Sequence, residues 1–125
     1  MRRLTISEFH AEIRAQGVSS REHVAFRCVM CGTIQSGRDF IRAGAGASFA
    51  EVERFLGFSC IGRFTDAGPP LRPAKANAGC DWTLGGLFRI HRLVVIDERG
   101  VEHPRFELAS PDEAQAHERL AFQLD

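Results

Sequence analysis

The sequence predicts an α+β protein, a small antiparallel sheet packed with three to four short helices. Three observations predict it. Helix-start signals recur along the chain, at Thr5, Ser48 and Ser110. Apolar residues alternate with period two near residues 23–36 and 87–108, as half-buried strands require. Four cysteines then tie the early strand region to the middle of the chain.

Thr5-Ile6-Ser7-Glu8 is a capping box, in which Thr5 accepts from a backbone N–H and Glu8 reaches back. Ile6, Phe9 and Ile13 share one helical face, and Gly17 provides a stop. The spacing predicts a helix over 6–16. Residues 23–27 read as a short strand, 28–32 as a tight turn and 33–36 as the return strand. A short helix is expected over 37–43, ended by Gly44-Ala45-Gly46. Ser48-Phe49-Ala50-Glu51 opens another, with Phe49, Val52, Phe55 and Leu56 as its apolar face and Gly57 as its stop. Residues 62–79 hold three prolines and many small residues and read as an exposed loop.

Leu87 to Ile96 is the strongest strand signal, with Phe88, Ile90, Val94 and Ile96 on one face. Leu87, Arg89, His91, Leu93 and Val95 fall on the other. Glu98-Arg99-Gly100 predicts a turn, after which 101–108 pairs back as a hairpin. Pro104 places that return strand at an edge or a bulge. Ser110-Pro111-Asp112-Glu113 combines an N-cap, a proline at the first helical position and a capping Glu, predicting a last helix over 111–122. With 125 residues, 44% hydrophobic, the whole of 1–125 is expected to form one domain.

The cysteines are spaced Cys28-x2-Cys31-x28-Cys60-x19-Cys80. A Cys-x-x-Cys turn presents two thiolates to one tetrahedral ion, and Gly32 permits the positive φ that such a turn uses. Gly62 and Gly79 relieve backbone crowding near the other two cysteines. The expectation is one structural Zn2+ per chain held by Cys28, Cys31, Cys60 and Cys80. Three cysteines with His23, His91 or His103 would be an alternative set, and buried but unligated cysteines another. A redox role for Cys28 and Cys31 fits less well, because a return strand and not a long helix follows the turn.

Ala25-Phe26-Arg27-Cys28-Val29-Met30-Cys31-Gly32-Thr33, Cys80-Asp81-Trp82-Thr83-Leu84-Gly85-Gly86-Leu87-Phe88 and His103-Pro104-Arg105-Phe106-Glu107-Leu108-Ala109 together carry a resemblance over most of the chain. The chain resembles a family of small, largely uncharacterised proteins carried by bacteriophages and prophages. That resemblance implies a phage context and no particular activity. The first knuckle is also similar to those of zinc ribbons, over about ten residues.

Composition narrows the function. Sixteen basic residues balance sixteen acidic ones, which argues against a general polyanion binder. Residues 1–63 carry nine Arg against six acids, and 64–125 carry seven basic residues against ten acids. Arg27, Arg38, Arg42, Arg54 and Arg63 are candidates for a partner-binding patch, or an ordinary solvated face. Trp82 is a candidate interface anchor, or a residue packed over the metal or on Phe88. The acidic stretch from Asp97 to Asp125 can mimic nucleic-acid charge. No His-Glu-x-x-His, no His-x-Glu beside the knuckle and no Gly-Lys-Ser/Thr phosphate loop is present.

The sequence therefore reads as a zinc-stabilised binding module and not an enzyme. Its expected partner is a host or phage protein, and its expected action the inhibition of a host protein or defence complex. A nucleic-acid-binding regulator is the alternative, and an enzyme of unknown class a second one. No apolar segment follows Met1-Arg2-Arg3 and no window approaches about 18 apolar residues, so a cytosolic location without membrane contact, in a host cell if phage-encoded, is expected.

Overall fold

A computed structural model describes residues 2–69, 79–84 and 91–124. In chain order its elements are β1 (Arg2–Thr5), α1 (Ile6–Ala15), a 3-10 turn (Arg21–His23), β2 (Ala25–Arg27), β3 (Ile34–Ser36) and α2 (Gly37–Arg42). There follow α3 (Phe49–Val52), a second 3-10 turn (Ile61–Phe64), β4 (Leu93–Ile96), β5 (Glu102–Arg105), β6 (Glu107–Leu108) and α4 (Pro111–Leu124). No described helix is long and apolar enough to cross a membrane.

The helix starts follow the predicted signals, because each is written in four consecutive residues. Thr5 Oγ1 accepts from Glu8 N at 3.2 Å while Glu8 accepts from Thr5 N at 2.9 Å. The same reciprocal box forms at Ser48 and Glu51 and at Ser110 and Glu113. Ser36 and Asp39 form another at the start of α2, one the sequence reading did not single out. α3 stops at Val52, shorter than its apolar pattern suggested, and the chain reaches Gly57 (φ 73°) through successive turns.

The strands form two three-stranded sheets, β1-β4-β5 and β3-β2-β6. One small sheet combining both hairpins was expected. The division falls at Phe106, whose N–H turns away to Gly57 O at 2.7 Å. Residues before it pair with β4, from Leu93↔Arg105 to Ile96↔Glu102, and residues after it pair with β2, at Phe26↔Leu108 and Arg27↔Glu107. The segment 102–108 thereby serves both sheets. Pro104 lies on a border strand, as predicted, where a missing donor is tolerated.

β1 was not foreseen. It pairs in parallel with β4, from Arg2↔Leu93 to Thr5↔Ile96, so its partner lies some ninety positions away. β4 is central, and Leu93, Val94 and Val95 are all buried. Leu93 and Val95 pack with Leu4, Ile6 and Phe9, which places α1 over that face. Residues 87–90 of the predicted strand lie outside the described residues. Half of the 62–79 loop prediction, at 70–78, does so too.

Gln16 locks the second sheet to the first helix. Its buried amide donates to Ala25 O at 2.8 Å and Ala109 O at 3.0 Å, and its oxygen accepts from Ala25 N at 3.0 Å. Across the molecule, His117 on α4 donates to Asp39 on α2 at 2.6 Å. Burial pushes the Asp39 carboxyl up, but the His117 hydrogen bond and charge, with the Ser36 donors, outweigh it, and the net shift is downward. A carboxylate depressed on folding contributes stability that is present above about pH 4 and lost as pH falls through its lower folded value. Asp39→Asn is expected to flatten the fall of the thermal midpoint between about pH 4 and pH 2 relative to wild type. Parallel curves for the two proteins would contradict that assignment.

Candidate metal centre

β2 delivers Cys28 into the knuckle. Gly32 N donates to Cys28 O and Cys28 N to Thr33 O, each at 3.0 Å, and Gly32 adopts φ 76°. This turn points Cys28 and Cys31 inward, where both are buried. The other two cysteines meet through a short antiparallel contact. Cys60 N donates to Trp82 O at 2.9 Å, Leu84 N to Phe58 O at 3.0 Å, and Ser59 bridges Thr83. The chain on either side of that contact is tight. A Cβ on Gly62 would lie 2.3 Å from Cys80 N and 2.4 Å from Cys80 O, closer than any real side chain approaches backbone, so only glycine fits there.

The four sulfurs converge. Cys28 Sγ is 3.8 Å from Cys80 Sγ, Cys31 Sγ is 3.7 Å from Cys60 Sγ, and all four lie within 4.8 Å of one another. Four sulfurs at about 2.3 Å from a tetrahedral zinc would be about 3.8 Å apart. Disulfide sulfurs would be at about 2.0 Å, and all four cysteines are free. The donor set therefore fits a tetrahedral ion closed by four thiolates. No other group of metal-ligating side chains occurs among the described residues. His103 instead sits 2.9 Å from Asp97, and His23 packs its ring on Phe122 with centroids 5.0 Å apart.

A second layer of polar groups supports the sulfurs. Cys60 Sγ accepts from Cys80 N at 3.3 Å and from Gln35 Nε2 at 3.4 Å. Gln35 Nε2 also donates to Thr33 O, and its oxygen accepts from Ile61 N at 2.7 Å. The Cys31 thiol reaches Thr33 Oγ1 at 3.1 Å, and that oxygen accepts from Gly79 N at 3.0 Å. The sequence reading missed both Thr33 and Gln35. Their signal was present: polar residues at alternate positions just after the knuckle, on a return strand, must face the side the cysteines face.

Electrostatics explains what an ion would do here. A hydrogen bond from Cys28, and donors from Gly62, Gln35 and Cys80, outweigh burial and bring Cys60 down to about 5. That same bond to Cys60, then burial, pushes the Cys28 thiol up. Burial first, then the neighbouring sulfurs, push Cys80 up to about 12. Without a cation the cluster thus holds protons at Cys28 and Cys80, and a divalent cation would displace them. Gln35→Leu is expected to weaken metal binding about 10–100-fold while leaving the metal-loaded fold intact. Competition against a chromophoric chelator reads that change, and an unchanged affinity would remove Gln35 from the metal's support.

Trp82 is half-buried against the apolar cluster that contains the cysteines. Its Nε1 is buried with no hydrogen-bond partner among the described residues, and Phe88 lies outside them. The candidate arginines are dispersed. Arg27 pairs with Glu113 and donates to Gly32 O, Arg42 pairs with Asp39, and Arg63 donates to Asp81 O at 3.2 Å. Arg54 lies 4.6 Å from the Phe55 ring centroid. Arg38, on α2, is half-buried and is not without a partner.

A family model described as VVA0879-like matches residues 5–109. The chain belongs to the VVA0879-like family. The matched span takes in all four cysteines, Gln35 and both sheets from Thr5 to Leu108, and it ends before α4. No curated protein and no solved structure matches the chain.

Proposed function

We propose that this VVA0879-like chain is a non-catalytic, protein-binding module whose surface is held in shape by one structural zinc ion. The observation that carries the reading is the closed donor set of four buried cysteines. Soft thiolates in tetrahedral array suit zinc. A catalytic zinc keeps one position open for water or substrate, and four protein sulfurs leave none.

A protein is the favoured partner over nucleic acid. Net charge is zero, and Arg27, Arg42 and Arg63 already serve groups of the chain itself, which leaves few of the candidate arginines for the many phosphate contacts that nucleic-acid binding uses. The resemblance to proteins carried by phages and prophages supports a bacterial host protein as the target, with inhibition of that protein as the outcome. Residues around Trp82 and the Arg-bearing middle of the chain are the proposed contact surface.

The test is a pull-down from bacterial lysate with zinc-loaded, folded protein as bait. The expected result is one stoichiometric protein partner, retained in about 0.5 M salt, where phosphate-driven binding would be largely lost. Repeated recovery of no stoichiometric protein, with a shift of DNA or RNA at low salt, would replace this reading with the nucleic-acid one.

A further inference from the structure

A cavity of about 390 Å³ lies away from the metal, between α1, β2, the start of α3 and β5. Phe9, Phe26 and Phe49 contribute to its walls, and Arg21, Arg54 and Arg105 also line it. Its size is that of a small-molecule site, and an apolar wall with a few placed polar groups is the usual make-up of one.

The three arginines differ from most of the others whose partners are seen. Arg2, Arg3, Arg27 and Arg42 each pair with a carboxylate. Arg21, Arg54 and Arg105 have no carboxylate within ion-pair distance among the described residues. Each rests on a ring instead: Arg21 is 5.2 Å from the Phe49 centroid, Arg54 is 4.6 Å from Phe55 and Arg105 is 5.7 Å from Phe58. Glu53 is the one acidic residue in the lining, so the cavity carries a positive excess.

Arg105 is the most telling of them. It is half-buried on β5, and its Nη1 donates to the carbonyl of its own neighbour Pro104 at 2.7 Å. Burial alone lowers its pKa, with no anion beside it among the described residues to raise it. A desolvated guanidinium without a counter-charge is costly to keep. A planar fork that stacks on rings and binds oxyanions bidentately is also the side chain best made to hold a carboxylate or phosphate.

We propose that this cavity binds a small aromatic anion, its ring among Phe9, Phe26 and Phe49 and its acidic group on Arg105, with Arg21 and Arg54 completing the positive rim. The site is separate from the metal centre and does not depend on the protein-partner reading above.

The probe is 1-anilinonaphthalene-8-sulfonate, an aromatic anion, compared with its neutral relative N-phenyl-1-naphthylamine, both titrated by fluorescence into the zinc-loaded protein. The expected result is saturable binding of the sulfonate at one site per chain. Arg105→Met, which keeps the aliphatic stem, should weaken the sulfonate about tenfold or more and leave the neutral probe unchanged. Arg105→Lys, which keeps the charge but not the planar fork, should recover only part of the lost affinity. Displacement by benzoate or by phenyl phosphate then tells which acidic group is preferred. Equal sulfonate binding by wild type and Arg105→Met overturns the proposal. So does an equal loss of the neutral probe in Arg105→Met while its circular dichroism and zinc content match wild type, since packing and not charge would then hold the ligand.

Discussion

Replacing Cys28 with serine is expected to remove both the metal and the fold. Cys28 is fully buried, begins the knuckle and lies 3.8 Å from Cys80. Serine is a far poorer ligand for a soft-accepting tetrahedral ion, and the three remaining thiolates would hold it in an open, strained set. Structural zinc contributes about 10–16 kcal/mol in small metal-stabilised domains. A protein of this size has about 5–15 kcal/mol of stability in total, so loss of the ion outweighs the whole margin. Elemental analysis should give about one zinc per wild-type chain and a small residue in Cys28→Ser. The variant's near-ultraviolet circular dichroism should collapse, and a chelator should do the same to wild type. A wild type that is fully folded when shown to be metal-free would refute the expectation. Because binding displaces protons from Cys28 and Cys80, wild-type affinity should also fall as pH is lowered.

Gln16→Leu is expected to have the next largest effect, about 3–5 kcal/mol of destabilisation, because several buried backbone groups lose their partner together. The leucine is close to glutamine in volume, so the change isolates hydrogen bonding from packing. It would leave Ala25 N and Ala109 O facing an apolar side chain, and Ala25 O one donor short. Denaturant titration of the zinc-loaded variant reads the loss as a lower midpoint at unchanged slope. A shift below about 1 kcal/mol would mean that water or other groups replace the amide.

These two residues mark what could be read in advance and what could not. The cysteines were legible because metal ligation demands a residue type that is scarce, and counting four of them limits the options. The helix starts were legible because a capping box is closed within four residues, as at Thr5–Glu8. Gln16 was not: it reads as a polar helix end, and its importance comes from Ala109, 93 positions away. β1 escaped for the same reason, since only its pairing to Leu93–Ile96 makes a strand of Arg2–Thr5. The split into two sheets at Phe106 also depends on a distant acceptor, Gly57 O. Local hydrogen bonding is written in neighbouring residues, whereas sheet order is decided by which distant segments bury each other.

The border strands of the β1-β4-β5 sheet carry a consequence for how the protein meets others. An open strand edge invites another chain to add to it, which is how many proteins polymerise or capture extended peptides. Here one border, β1, begins with two exposed arginines, Arg2 and Arg3, pinned to Glu12 and Glu102. The opposite border, β5, has Pro104 at its centre, which lacks the N–H a visiting strand would need. Charge guards one side and a missing donor the other. Among the described residues, both borders of this sheet thus carry features that disfavour the addition of another strand.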